Sequence, residues 1–208
     1  MSPRLFTALG ILLLLLAWAG PLPRLVPESF AAHMALHMGV VGIAVPILAI
    51  GLAPMIADHP WLRSQLALPI AVSLLDLVIV WGWHTPALHH ASRTSGWALV
   101  YEQASFASAS LLVWVLALAA PRGRRDIAAL AGALTLFFTS MHMTLLGALI
   151  GLAPRPIYPG HAHNNPFGLS EMADQQVGGV IMLAIGSIIY LVGGLSLVGR
   201  ALKLPVPS

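Results

Sequence analysis

The chain has 208 residues, 58% of them apolar and only 8% charged, where a soluble domain carries about a quarter charged residues, so a mean hydropathy of +0.87 excludes water as its solvent. The formal net charge is +3, but the basic residues are spread over the connections and form no patch, which excludes nucleic acid as a partner. There is no cysteine, so disulfides and thiolate metal sites are excluded and any metal must sit on His, Met or carboxylate.

Apolar stretches of about 18 residues or more recur along the chain, each long enough to cross a hydrocarbon core of roughly 30 Å as a helix. They predict an all-α, polytopic membrane bundle of six transmembrane helices in one domain, 1–208. The first helix runs from about Leu5 to Ala19, between Arg4 and Gly20-Pro21-Leu22-Pro23. Residues 1–22 read as a retained signal anchor, with a cleaved signal peptide as the alternative because Ala17-Trp18-Ala19 resembles a peptidase site. A His- and Met-bearing bundle then occupies 29–202. Its helices are expected over about Ser29 to Ala53, Gln65 to Trp83, Gly96 to Ala119, Asp126 to Leu152 and Ala173 to Leu202. Pro54, Pro60, Pro86, Pro121, Pro154, Pro156 and Pro159 punctuate the gaps, while Pro46 and Pro69 fall inside spans as expected kinks.

Basic residues collect on the cytoplasmic side of short connections. An N-in, C-in arrangement puts Arg4, Arg63, Arg122, Arg124, Arg125, Arg200 and Lys203 inside against Arg24, Arg93 and Arg155 outside. With that orientation, only His59 of the nine histidines is cytoplasmic. His33 and His37 enter with the second helix, His84 ends the third, and His89, His90, His161 and His163 fall in outer loops. His142 lies about 15 Å below the outer end of the fifth helix at 1.5 Å per residue. Asp76, Glu102 and Asp174 send carboxylates toward the same layer. Ionisable groups inside a bilayer are costly and normally face the bundle interior with a partner.

Three segments carry the chemistry. His33-Met34-Ala35-Leu36-His37-Met38 places two imidazoles at i and i+4 on one helix face, with Met34 and Met38 on a neighbouring stripe. Imidazole with thioether suits Cu(I) better than Zn(II), Mg(II) or Ca(II), and the alternative for each Met is a core filler. Met141-His142-Met143 repeats the mixture, with one of Met141 and Met143 able to share a face with His142. Asp76 is the expected partner of His142, either as a plain interhelical hydrogen bond or as the acceptor that orients a ligating imidazole. Trp81-Gly82-Trp83-His84 ends a helix in an aromatic belt, and the following His89 and His90 are either solvated or capture an incoming ion. Asp174 opens the last helix, as a cap of that helix or as a ligand, and Gly178 and Gly179 prepare a close helix approach.

Taken together, His33-Met34-x-x-His37-Met38, Trp83-His84-x-Pro86-x-Leu88 and Asp174-Gln175-Gln176-x-Gly178-Gly179-x-Ile181-Met182 resemble the signatures of the CtaG family of cytochrome c oxidase assembly factors, in the form associated with caa3-type oxidases. The resemblance covers most of the chain from about residue 30 onward, although the chain is a span shorter than expected of such relatives. It implies a protein of the bacterial inner membrane that supports maturation of a haem-copper oxidase by delivering copper to its catalytic subunit. It points to His33, His37, His84 and Asp174, with Met34, Met38 and Met182 beside them; depth in the membrane adds His142. A periplasmic copper donor, the lipid bilayer and a homo-oligomeric copy are the further partners expected.

No nucleophile with a base and orienter is recognisable, so the chain is not expected to be an enzyme. Copper exchange at an outer-facing site is the leading reading, and protonation of the imidazoles would weaken binding as pH falls through about 7 to 6. The alternatives are a haem-b cytochrome with two axial histidines, a metal or proton transporter, and an assembly factor that touches no metal. The inner half of the spans offers no polar path for the transporter.

Overall fold

In the computed structural model, residues 2–57, 59, 67–119, 125–160 and 165–202 are described. His161, His163, Arg63, Arg122, Arg124 and Lys203 lie outside the described residues. The chain is all-helical over them: α1 (Pro3–Ala19), α2 (Leu22–Leu25), α3 (Phe30–Met38), a π-helical stretch (Gly39–Ala44), α4 (Val45–Ile56), α5 (Ala67–Trp83), α6 (Pro86–Thr94), α7 (Gly96–Leu118), α8 (Arg125–Gly151) and α9 (Glu171–Leu202). Among the described residues, five stretches are long and apolar enough to cross a membrane: Pro3–Leu25, Phe30–Ile56, Gly96–Leu118, Ile127–Gly151 and Glu171–Leu202. A sixth is the pair Leu68–Trp83 and Pro86–Thr94, bent by 70°. The chain therefore reads as a multi-pass membrane protein of five or six spans, where about six were expected.

Prolines explain the departures from straight helix. Pro46 has no N–H for its own turn and its ring crowds the carbonyl four residues back. The turn before it widens into the π stretch, where the Val45 N–H reaches back to the Val40 carbonyl. The loosened Val41 carbonyl is met by the Ser110 hydroxyl at 3.2 Å. Pro86 restricts the residue before it to extended backbone. Thr85 is accordingly at φ −66°, ψ 144°, and this turns the chain sharply between α5 and α6. One proline expectation is corrected: Pro54 lies within the last turn of α4 rather than in a gap. Pro69 lies inside α5.

Lipid-facing positions are apolar and exposed, as at Leu16, Val78, Leu145 and Leu195, while polar side chains such as His33, His37, Asp76, Glu102 and Asp174 are buried. This inverts the soluble pattern, as expected where only the interior can satisfy a polar group. α7 packs on α4, α5, α6 and α8, and α9 lies along α8 and α3. Small residues set the closest approaches. A Cβ on Gly179 would stand 2.6 Å from the Gly151 Cα, and one on Gly10 would stand 2.6 Å from the Leu48 backbone. Overpacking such a seam costs about 1–3 kcal/mol. Gly179→Val should therefore lower the melting temperature in detergent, whereas Gly199→Ala, where a Cβ meets open space, should leave it unchanged or raise it.

Candidate functional site: a buried histidine layer

The site begins with the way α9 holds α3. Asp174 is fully buried, and its carboxylate accepts from the Ser29 hydroxyl at 2.7 Å, the Phe30 N–H at 2.6 Å and the Ala31 N–H at 3.2 Å. These are the first donors of α3, which have no partner within their own helix, and a negative charge there also meets the positive end of the helix dipole. Ser29 in turn accepts from the Ala32 N–H at 3.1 Å. The expected cap role of Asp174 is thus real but belongs to a different helix. α9 starts earlier, at Glu171, with Ser170 accepting from the Ala173 N–H.

Next to Asp174, Gln175 donates to the Ile150 carbonyl at 3.1 Å and accepts from the Ile157 N–H, which ties the end of α8 and the following loop to α9. A Cβ on Gly178 would strike the Phe30 ring and stand 3.0 Å from Met34 Cγ. One on Gly186 would stand 3.5 Å from Met143 Cβ and 3.7 Å from Met38 Cε. The Asp174-to-Met182 motif is therefore a joint between α3, α8 and α9, and Met34 and Met38 form the face of α3 seated in it.

The neighbouring face of α3 carries the imidazoles. His33 Nε2 lies 2.7 Å from Glu102 Oε2 on α7, and the His33 ring stacks on His89 at 4.8 Å with 21° between planes. One turn on, His37 faces His84 at 5.4 Å between centroids and packs on Phe106 at 4.1 Å. His84 sits at the α5–α6 bend, with Nδ1 2.6 Å from the Val80 carbonyl. Four imidazoles from α3, α6 and the bend thus form one buried layer. His89 was expected in an outer loop. It lies instead in α6, because Pro86 starts a helix after the extended Thr85, and it is buried. His90 is in the same helix but exposed, with Nδ1 3.3 Å from Arg93 Nη2.

The roof of the layer is Tyr158, which stacks on Phe30 at 4.6 Å, lies 4.4 Å from the His89 ring and donates to the His84 carbonyl at 2.7 Å. Burial pushes its phenol well above the usual range, so it stays a donor. Arg93 holds this roof by donating to the Pro27 carbonyl at 3.2 Å and the Gly160 carbonyl at 2.9 Å. Gly160 has φ +99°, a conformation suited to glycine.

His142 is paired elsewhere. Its Nε2 is 3.2 Å from Asp76 Oδ2, and Asp76 precedes His84 by eight residues, about 12 Å along a helix. Met143 is buried toward α9, and Met141 is exposed. Among the described residues, no three His, Asp or Glu side chains stand close enough together to hold a metal ion as they are placed. Several ring nitrogens are nonetheless buried and without a hydrogen-bond partner: both of His37, Nε2 of His84 and Nδ1 of His33 in the layer, and both of His142 below it. The sequence reading placed Glu102 in this layer but gave it no role. Its signal was its standing as the one charged residue in α7.

Removing the Asp174 charge should leave α3 with buried, unpaired donors, each worth about 1–3 kcal/mol. Asp174→Ala should therefore lower thermal stability by several degrees in a detergent melt and Asp174→Asn by less. Equal stability of Asp174→Ala and wild type would contradict the cap.

A family model described as cytochrome c oxidase caa3 assembly factor matches residues 3–203. No curated protein and no solved structure matches the chain. The match spans the joint, the bend and the histidine layer alike, and the chain belongs to the family of caa3-type cytochrome c oxidase assembly factors, CtaG.

Proposed function

We propose that this assembly factor carries Cu(I) as cargo for a haem-copper oxidase, seated between His37 and His84 with His33 as the third imidazole. The observation that supports this reading best is the set of buried, unpartnered ring nitrogens on these three residues. A buried polar atom without a partner costs about 1–3 kcal/mol, and a bound ion would offset that cost. The Val80 carbonyl accepts from His84 Nδ1–H, so Nε2 keeps the lone pair. Imidazole is a suitable copper ligand, and thiolate is not on offer.

Met34 packs on Gly178 and Met38 and Met143 on Gly186, all in α9, and in this reading they form the wall behind the seat rather than part of the ligand set. A seat of two or three nitrogens leaves a position through which an acceptor's ligand enters. The chemistry is ligand exchange and needs no catalysis. With N-in, C-in topology, favoured by the distribution of basic residues, the seat faces the outer side of the bacterial inner membrane. A periplasmic donor would load it and the catalytic subunit of the oxidase would unload it. His142, set deeper beside Asp76 at 3.2 Å, is read as an interhelical contact outside the seat.

The test is anaerobic competition for Cu(I) between a chelator and the detergent-purified protein, after an absorption spectrum of the protein as isolated. His37→Ala and His84→Ala should each weaken binding by about tenfold or more, the scale of losing a metal-site group, and His142→Ala should leave it within about twofold. Folded wild type that does not compete would sink copper carriage and leave a metal-free assembly role. A Soret band would move the reading to haem.

A further inference from the structure

Glu102 is the one charged residue of α7, is 1% exposed and is unused in the seat described above. Its Oε2 lies 2.7 Å from His33 Nε2 and also accepts from Gln103 Nε2–H at 3.3 Å. An ionised carboxylate is acceptor-only, so with Glu102 ionised the proton between Glu102 and His33 sits on the imidazole. A neutral imidazole has one N–H and one lone pair, which leaves His33 Nδ1 bare. That atom is buried and has no hydrogen-bond partner.

We infer that Glu102 is a positioning residue for the seat: it holds His33 in the Nε2–H form and so presents Nδ1 as the lone pair available to an ion. The ring is held in plane as well as in tautomer, because His89 stacks on it at 4.8 Å. His84 is locked in the opposite sense, with Nδ1–H given to the Val80 carbonyl at 2.6 Å and Nε2 bare. The two neighbours of His37 therefore offer different ring atoms, one fixed by a carboxylate and the other by a backbone carbonyl. His37 itself has neither constraint, since both of its nitrogens lack a hydrogen-bond partner. Acceptors behind ligating imidazoles orient the ring and raise its basicity, and Glu102 would do both for His33. The tautomer lock stands on the metal-free geometry; its purpose rests on the copper reading above.

The experiment uses full-length, metal-free protein labelled with 15N-histidine in detergent micelles, with the His33 signals assigned by their loss in His33→Gln. Long-range proton–nitrogen spectra separate protonated from bare ring nitrogens. Wild type should show Nε2 protonated and Nδ1 bare. Glu102→Gln, which keeps an acceptor oxygen of the same shape, should preserve that pattern, and Glu102→Leu should abolish it. In Cu(I) competition, Glu102→Gln should bind within about threefold of wild type and Glu102→Leu about tenfold or more weakly.

A wild-type His33 protonated at Nδ1, or at both nitrogens, overturns the inference without any variant having to fold. Retention of the pattern in Glu102→Leu overturns it as well. The predicted tautomer in a protein that takes up no Cu(I) would sustain the lock, overturn the role of Glu102 at a copper seat and sink the copper reading separately.

Discussion

The histidine layer depends on the carboxylate of Asp174, a residue of the last helix, closing the first turn of α3. In a bilayer the free N–H groups of a buried helix start cannot turn to water, so something in the protein must meet them. Asp174 meets two of them and the Ser29 hydroxyl. Fixing the start of α3 against α9 also fixes its rotation. The methionine face then lies on Gly178 and Gly186, and His33 and His37 must face α7 and the α5–α6 bend. One buried charge, placed 145 residues away in sequence from its hydroxyl partner, thereby aims both imidazoles.

Among the described residues, the buried histidines of this interior fall in two groups. Near the end of the bundle where α3 and α9 begin, His33 and Glu102 lie beside His37, His84 and His89 under the Tyr158 roof. Deeper, Asp76 and His142 join α5 to α8. The deeper pair is a contact of 3.2 Å that makes no hydrogen bond, so His142 also keeps bare ring nitrogens. What distinguishes the shallower group is number, since ring nitrogens of three neighbouring histidines lack hydrogen-bond partners there, in a place where that is expensive. That grouping supports a ligand role for the upper layer.

Much of this was legible in the residues. Hydropathy marked the spans, and Pro46 and Pro86 marked where helical geometry would give way. The i, i+4 spacing of His33 with His37 put them on one face and the methionines on the next stripe, as found. Spacing did not reveal which stripe meets which neighbour, because helix rotation is decided by contacts from the far end of the chain. Copper was accordingly assigned a mixed His and Met ligand set, whereas the seat proposed above uses the imidazole face alone. His89 was read as a loop residue because Pro86–Thr94 is too polar and too short to register as a span, although its proline start is a helix signal. Glu102 stood out in an apolar helix, but its partner is a tertiary fact.

The central claim is that imidazole nitrogens from α3 and the α5–α6 bend hold the copper, with thioethers behind them. X-ray absorption at the copper edge, on protein loaded anaerobically with one equivalent of Cu(I), tests this most directly. The proposal predicts a nitrogen first shell with the outer scattering of imidazole rings and no sulfur. A first shell containing sulfur would contradict it, because it would require Met34 or Met38 to leave the α9 seam and turn with the histidines toward one ion.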